Sequence, residues 1–263
     1  MSYELKGMSE KERKELIPPD LIFLGYRGSI AHGMYLPNTD PNSIDDKDIM
    51  GVYLSSPPNY IGIKKEKDVR EKWYKEWDCV YYELLKIVSL LIKGNPNVLC
   101  TLWLDKQYVL HSSEEWERLV SIRDAFACKN VYHSFCGYAH GQFHRMTHVA
   151  FDGYMGEKRK ALVEKYGYDC KNAAHLIRLL RMGIEFLTEG VLYVERKNDA
   201  TQLLEIKRGE WTLEQVKNEA EHLFRLCEEA YVRSPLKAQP DIEKINSVCV
   251  DILRDHIGKE NSH

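Results

Sequence analysis

Gly25-Tyr26-Arg27-Gly28-Ser29-Ile30-Ala31-His32-Gly33, followed after a loop by Asp45-Asp46-Lys47-Asp48-Ile49-Met50-Gly51, is the stretch that decides the fold. It is flanked by two apolar runs. Leu21-Ile22-Phe23-Leu24-Gly25 reads as a buried strand, and Ile49-Met50-Gly51-Val52-Tyr53-Leu54 as a second. The first strand therefore ends in a Gly-Ser turn that opens a short helix. Backbone N–H groups at such a helix start, with no side-chain bulk at Gly28, approach a phosphate closely, and the Ser29 hydroxyl adds a donor. The second strand begins with Asp46-x-Asp48. Residues i and i+2 of a strand share a face, so these two carboxylates converge. Converging carboxylates repel unless a cation lies between them, and hard oxygen donors suit Mg²⁺ or Mn²⁺.

Outward from this stretch the chain changes character. Pro37-Asn38-Thr39-Asp40-Pro41-Asn42-Ser43 is a loop by its turn residues, Trp77 to Tyr82 suits a third strand, and Lys64 to Lys75 reads as a solvated charged segment. Beyond residue 80 the helical period takes over. Leu84, Leu85, Val88, Leu91 and Ile92 mark one face of a helix that stops at Gly94-Asn95-Pro96. Further helices are expected at about 97–105, 114–122, 129–150, 170–190, 212–231 and 241–257, with Thr212-x-x-Gln215 fitting a capping box. The expected layout is α+β: a small mixed-sheet domain over 1–110, then a mainly helical domain over 111–263.

Composition sets the outer limits. The 263 residues carry 37 Lys and Arg against 40 Asp and Glu, a net charge of −3, which argues against a protein that coats nucleic acid indiscriminately. No apolar run approaches the ~18 residues of a membrane span. The polar segment Met1 to Glu15 does not read as an export signal, so the expectation is a cytoplasmic protein that makes no membrane contact. The seven cysteines contain no Cys-x-x-Cys pair and are expected to be reduced.

Gly-Ser followed by Asp-x-Asp on the next strand resembles the DNA polymerase β-like nucleotidyltransferase superfamily. In detail the chain is similar to the RlaP-type nucleotidyltransferases, which are associated with RNA ligase. That family's Gly-Ser-x-Ala-(Tyr/His)-Gly element is matched by Gly28-Ser29-Ile30-Ala31-His32-Gly33, and its Asp-x-Asp-x-x-Gly element by Asp46 to Gly51. The likeness continues through Lys93 to Asn97, Gly137 to Gln142, His175-Leu176-x-Arg178-Leu179 and Leu203 to Gly209, and so covers about residues 20–215. It implies a catalytic nucleotidyltransferase domain with Mg²⁺ or Mn²⁺ on Asp46 and Asp48, and a nucleoside triphosphate over Gly28 and Ser29. It also implies a third carboxylate that helps hold metal and accepts a proton. Asp78 is the candidate and Glu83 the rival. One departure is Cys100, where family members often carry a glutamate.

Some residues admit two readings. Lys171, His175 and Arg178 share one helical face (i, i+4, i+7), either as a solvated basic face or as contacts to triphosphate or acceptor. His140, His144 and His148 also share a face. Three turns span too far for one tetrahedral zinc, so a polar face towards the cleft, with Gln142 and Arg145, is the better reading. Tyr26 and Arg27 flank the Gly-Ser turn as the first pair to consider for base contacts. The implied reaction is transfer of a nucleoside monophosphate to an acceptor hydroxyl, an RNA end by the resemblance. Protein nucleotidylation and a non-catalytic nucleotide- or RNA-binding module are the alternatives.

Overall fold

The computed structural model describes residues 10–63, 66–148 and 156–260, without the side chains of residues 10, 12, 13, 147, 148 and 260. Helix α1 (Glu10–Leu16) leads into β1 (Leu21–Tyr26), all of whose residues are buried, as its unbroken apolar run requires of a strand covered on both faces. The Gly-Ser turn forms α2 (Gly28–Ala31), and a loop then leads to β2 (Lys47–Tyr53). Next come α3 (Pro57–Ile61), β3 (Val69–Tyr74) and β4 (Trp77–Glu83), and β4 passes directly into α4 (Leu84–Ile92).

Five strands form one sheet in the order β3-β4-β2-β1-β5, with β5 at Val109–Ser112. Only β2 and β4 run parallel, and their register sets Asp48 opposite Asp78. β3 lies where a charged, solvated segment was expected. It is an edge strand of sequence Val-Arg-Glu-Lys-Trp-Tyr, and charge on an edge blunts pairing with other chains. β5 closes the other edge and crosses the expected 110/111 boundary, so the sheet takes a strand from both sides of it.

The expected helix at 97–105 is the short α5 (Pro96–Leu99), followed by a 3₁₀ turn over Cys100–Trp103. Beyond β5 come α6 (Glu114–Ser121), α7 (Val131–His148), α8 (Glu157–Tyr166), α9 (Cys170–Glu189), α10 (Ala200–Lys207), α11 (Leu213–Arg233) and α12 (Ile242–Glu260). The capping box at Thr212 and Gln215 is formed. On α4, Leu84, Val88 and Leu91 are buried as expected, but Leu85 is exposed and Ile87 takes its place inward. Apolar packing runs without a break from sheet to helices. Phe23 stacks on Trp116 at 4.5 Å, and Trp103 meets Phe186 of α9 edge-on at 5.3 Å. All seven cysteines are free and buried. No described helix is long and apolar enough to cross a membrane.

Candidate active site

The site begins with the backbone of Gly28. Its φ of +61° lies in the left-handed region, and a Cβ there would run into Asp48 Oδ2, so only glycine lets the turn close against the carboxylate. The amide of Arg27 donates to the Asp48 carbonyl at 3.0 Å, which continues the pairing of β1 with β2 to the tip.

Three aspartates gather here. Asp46 stands just ahead of β2 with its side chain 58% exposed, Asp48 is largely enclosed, and Asp78 faces Asp48 from β4. The Arg27 guanidinium bridges the inner two, 3.2 Å from Asp48 Oδ1 and 2.9 Å from Asp78 Oδ2. Lys171 Nζ lies 3.7 Å from Asp46 Oδ2 and donates to the Ile44 carbonyl at 2.8 Å. Burial lifts the Asp48 carboxyl to about 6. That value already includes the Arg27 charge, which opposes burial, and the Asp46 and Asp78 charges, which add to it. Glu83 is elsewhere. It caps α4 by accepting from the Leu85 and Lys86 amides and accepts a hydrogen bond from the Tyr60 hydroxyl at 2.7 Å.

Across from the aspartates, Lys171, His175 and Arg178 line one cavity of about 220 Å³ together with Arg27, Gly28, Ser29 and Asp48. The α9 face is therefore not a solvated one; Arg178 and His175 are enclosed. Arg178 donates from Nη1 to His32 Nε2 at 2.5 Å. An arginine has donors only, so this ring nitrogen carries the lone pair, and Nδ1–H donates to the Val194 carbonyl at 2.8 Å. Burial, then the Arg178 charge, holds His32 well below its usual range, which keeps it neutral; the same two causes act on His175.

Three residues with structural work at the site, Asp45, Lys207 and His32, were given no role of their own by the sequence. Asp45 is turned inward and accepts from the Leu36 amide at 2.9 Å and from Lys207 Nζ. Lys207 also donates to the Met34 carbonyl at 2.9 Å, so this pair fastens the loop between α2 and β2 to α10. The signal in sequence was a lysine inside the apolar run Leu203-Leu204-Glu205-Ile206-Lys207. The third is His32, which was read only as part of a motif.

Several expectations change. Tyr26 is buried, packs against Trp77 at 5.7 Å and borders the same cavity. His140 stacks on Phe224 of α11 at 4.1 Å; it, His144 and Arg145 are not among the residues lining the cavity, although the Arg145 charge acts on His175, and Gln142 is buried. The His148 side chain lies outside the described residues. Among the described residues no three His, Cys, Asp or Glu side chains are grouped to hold a metal ion as they stand. Arg27 is what lies between Asp48 and Asp78.

A mixed sheet with a Gly-Ser turn after its first strand and Asp-x-Asp on its second defines a polymerase β-like nucleotidyltransferase. The chain belongs to the RNA repair pathway DNA polymerase beta family, RlaP, whose model matches residues 4–251. An uncharacterized protein of Methanocaldococcus jannaschii is 32% identical over 122 residues, which is 45% of this chain and 46% of that protein. The match thus spans less than half the length of that relative. A solved nucleotidyltransferase-like protein from Exiguobacterium sibiricum 255-15 aligns with 94% of this chain and 74% of its own, at 9% identity and a TM-score of 0.28.

Proposed function

We propose that the protein is a metal-dependent nucleotidyltransferase that moves a nucleoside monophosphate from a nucleoside triphosphate to an acceptor hydroxyl at an RNA end. The observation that carries this reading is the register that sets Asp48 opposite Asp78, with Asp46 two residues before Asp48 and near enough to oppose its charge. A protein that merely binds nucleotide has no use for three mutually repelling carboxylates, one of them in the cavity wall.

The donor set fits Mg²⁺ or Mn²⁺: hard carboxylate oxygens, one of them raised to about 6 first by burial. Asp46 and Asp48 would hold the ion with Asp78 beside them, in place of the counter-charge that Arg27 now supplies. When bound, a divalent cation would neutralise charge on the reacting phosphates. The chain's own groups do the rest. Backbone N–H groups of Gly28 and Ser29 orient the phosphates, and Lys171, His175 and Arg178 face them from α9. Asp78, the third carboxylate, accepts the proton of the acceptor hydroxyl as its oxygen attacks the α-phosphorus and pyrophosphate departs. Positioning and charge supply the rate in this chemistry.

The RNA acceptor rests on the family, whose description is an RNA repair pathway. The test is incubation with each α-labelled nucleoside triphosphate, Mg²⁺ or Mn²⁺, and RNA, with a cell lysate as a second acceptor. Label on RNA that is lost in the Asp46→Ala/Asp48→Ala double variant is the expected result. Label on a protein band alone moves the acceptor to a protein hydroxyl. Transfer by the double variant at the wild-type rate overturns the reaction itself.

A further inference from the structure

Helices α7 and α11 hold two thiols against each other. Cys136 Sγ of α7 lies 3.0 Å from Cys227 Sγ of α11, within hydrogen-bonding distance for sulfur. The helices are keyed together on both sides of the pair. One turn back along α7 and one turn on along α11, Tyr132 stacks on Tyr231 at 4.5 Å. One turn on along α7 and one turn back along α11, His140 stacks on Phe224 at 4.1 Å. The two ring stacks thus fix the antiparallel register in which the sulfurs meet. A slide of one helix along the other that parts the sulfurs also breaks a stack. Both cysteines are buried, at 6% and 0% exposure, and neither lines the cavity of the candidate site.

The other five thiols have no such neighbour. Cys79, Cys100 and Cys170 donate to backbone carbonyls, and burial pushes these three and Cys249 up to about 11. Burial raises Cys128 as well. Within the pair the shared hydrogen bond outweighs burial for one member. Donation from Cys227 favours a thiolate on Cys136 and holds it below the ordinary thiol range, while Cys227 is held up and keeps its proton. The thiolate is the nucleophilic form of cysteine, and a second thiol in contact with it captures the oxidised sulfur.

We infer that Cys136 and Cys227 are a reversible oxidation site, a dithiol that a peroxide converts to a disulfide joining α7 to α11. The Cys136 thiolate attacks one oxygen of hydrogen peroxide. The S–O bond of a sulfenic acid forms as the O–O bond breaks, and the departing hydroxide takes up the proton that Cys136 released. The Cys227 sulfur then attacks the Cys136 sulfur. The S–S bond forms, the S–O bond breaks, and the Cys227 proton leaves with the oxygen as water. Two thiols thereby lose two electrons, and one peroxide is reduced to two waters. From 3.0 Å the sulfurs close by about 1 Å to reach the disulfide length of roughly 2.05 Å. Held in contact, they react at an effective concentration far above that of any free thiol. The residues are 91 apart in sequence, so the bond closes a long loop, the case in which a cross-link restricts the unfolded chain most.

The experiment treats the folded full chain with hydrogen peroxide, alkylates the remaining thiols in denaturant and maps the peptides by mass. One linked peptide pair containing Cys136 and Cys227 is expected, with five of the seven cysteines alkylated and all seven recovered after dithiothreitol. The oxidised chain should melt about 5–10 °C above the reduced one. Cys136→Ala and Cys227→Ala should each abolish the linked peptide. In Cys227→Ala the sulfenic acid on Cys136 has no partner and is trapped by dimedone, whereas Cys136→Ala leaves Cys227 unmodified. Should either variant fail to melt cooperatively, the wild-type peptide map decides. Seven alkylated cysteines after peroxide, a disulfide between any other pair, or a link that forms only once the chain is unfolded in urea overturns the assignment.

Discussion

Asp48 and Asp78 stand opposite each other across the parallel pairing of β2 and β4, and their separation is bridged by a single guanidinium, that of Arg27. Arg27 thus does for the metal-free site what a divalent cation is proposed to do when bound. On that proposal the two would compete for the same carboxylate oxygens. Arg27→Gln should therefore tighten Mn²⁺ binding by about fivefold, the equivalent of ~1 kcal/mol for a part-exposed ion pair. The same change should lower the stability of the metal-free protein. Titration calorimetry with Mn²⁺ measures the first effect, and weaker Mn²⁺ binding in the variant would show that Arg27 supports the ion and does not compete with it.

Asp78 and Glu83 lie five residues apart on one strand, yet only Asp78 reaches the aspartate group. Asp78→Asn should reduce nucleotide transfer by about 10²–10³, as loss of a charge placed at a reacting centre does, and leave the melting temperature near wild type. Glu83→Gln should do the reverse. It weakens the cap of α4 and the Tyr60 hydrogen bond, at a cost of about 1 kcal/mol, with transfer intact. Paired measurements of label transfer and thermal melting separate the two. A Glu83→Gln protein that melts normally and has lost transfer would return the role to Glu83.

What could be read from the sequence follows from how local each signal is. β1, β2 and β4 are short apolar runs bounded by turn residues, and the i, i+2 spacing of Asp46 and Asp48 needs nothing beyond strand geometry. β3 and β5 were missed because edge strands expose one margin and tolerate charge, so their composition is that of a loop. Lys171, His175 and Arg178 were legible as one helical face, but not that the face is enclosed, since that depends on α2 and the loop after α9. The His32–Arg178 contact joins residues 146 apart and the Lys207–Asp45 contact residues 162 apart. No periodicity within one element reports such pairs.

The Lys207–Asp45 pair borders the cavity of the site and ties one of its walls together. Both side chains are buried, and burial pushes the Lys207 amine down against the opposing pull of Asp45. Breaking a buried pair from one side strands a charge and costs about 3–5 kcal/mol, whereas replacing both partners costs much less. Lys207→Met alone should therefore destabilise more than Lys207→Met combined with Asp45→Asn. Urea denaturation of the three variants forms the cycle. Strictly additive losses would mean that the two groups do not depend on each other.

The two enclosed histidines fix the sign of an acid response. Burial, reinforced by Arg178, holds His32 and His175 well below the usual imidazole value in the folded chain. The unfolded chain takes up protons at about pH 6.5 while the folded chain does not. Their contribution to stability is therefore complete above about pH 6.5 and is lost as pH falls below it, by up to about 1.4 kcal/mol per pH unit for each ring. His32→Gln keeps an acceptor for Arg178 and removes the titrating group, so its stability should fall less steeply than wild type between pH 6.5 and pH 5. Comparing variant with wild type cancels the carboxylates, including Asp48, whose raised value acts in the opposite direction. Denaturation midpoints at pH 5, 6 and 7.5 read the slope, and parallel slopes for the two proteins would mean that His32 takes up its proton as readily in the folded chain as in the unfolded one and undo the acceptor role given to its Nε2.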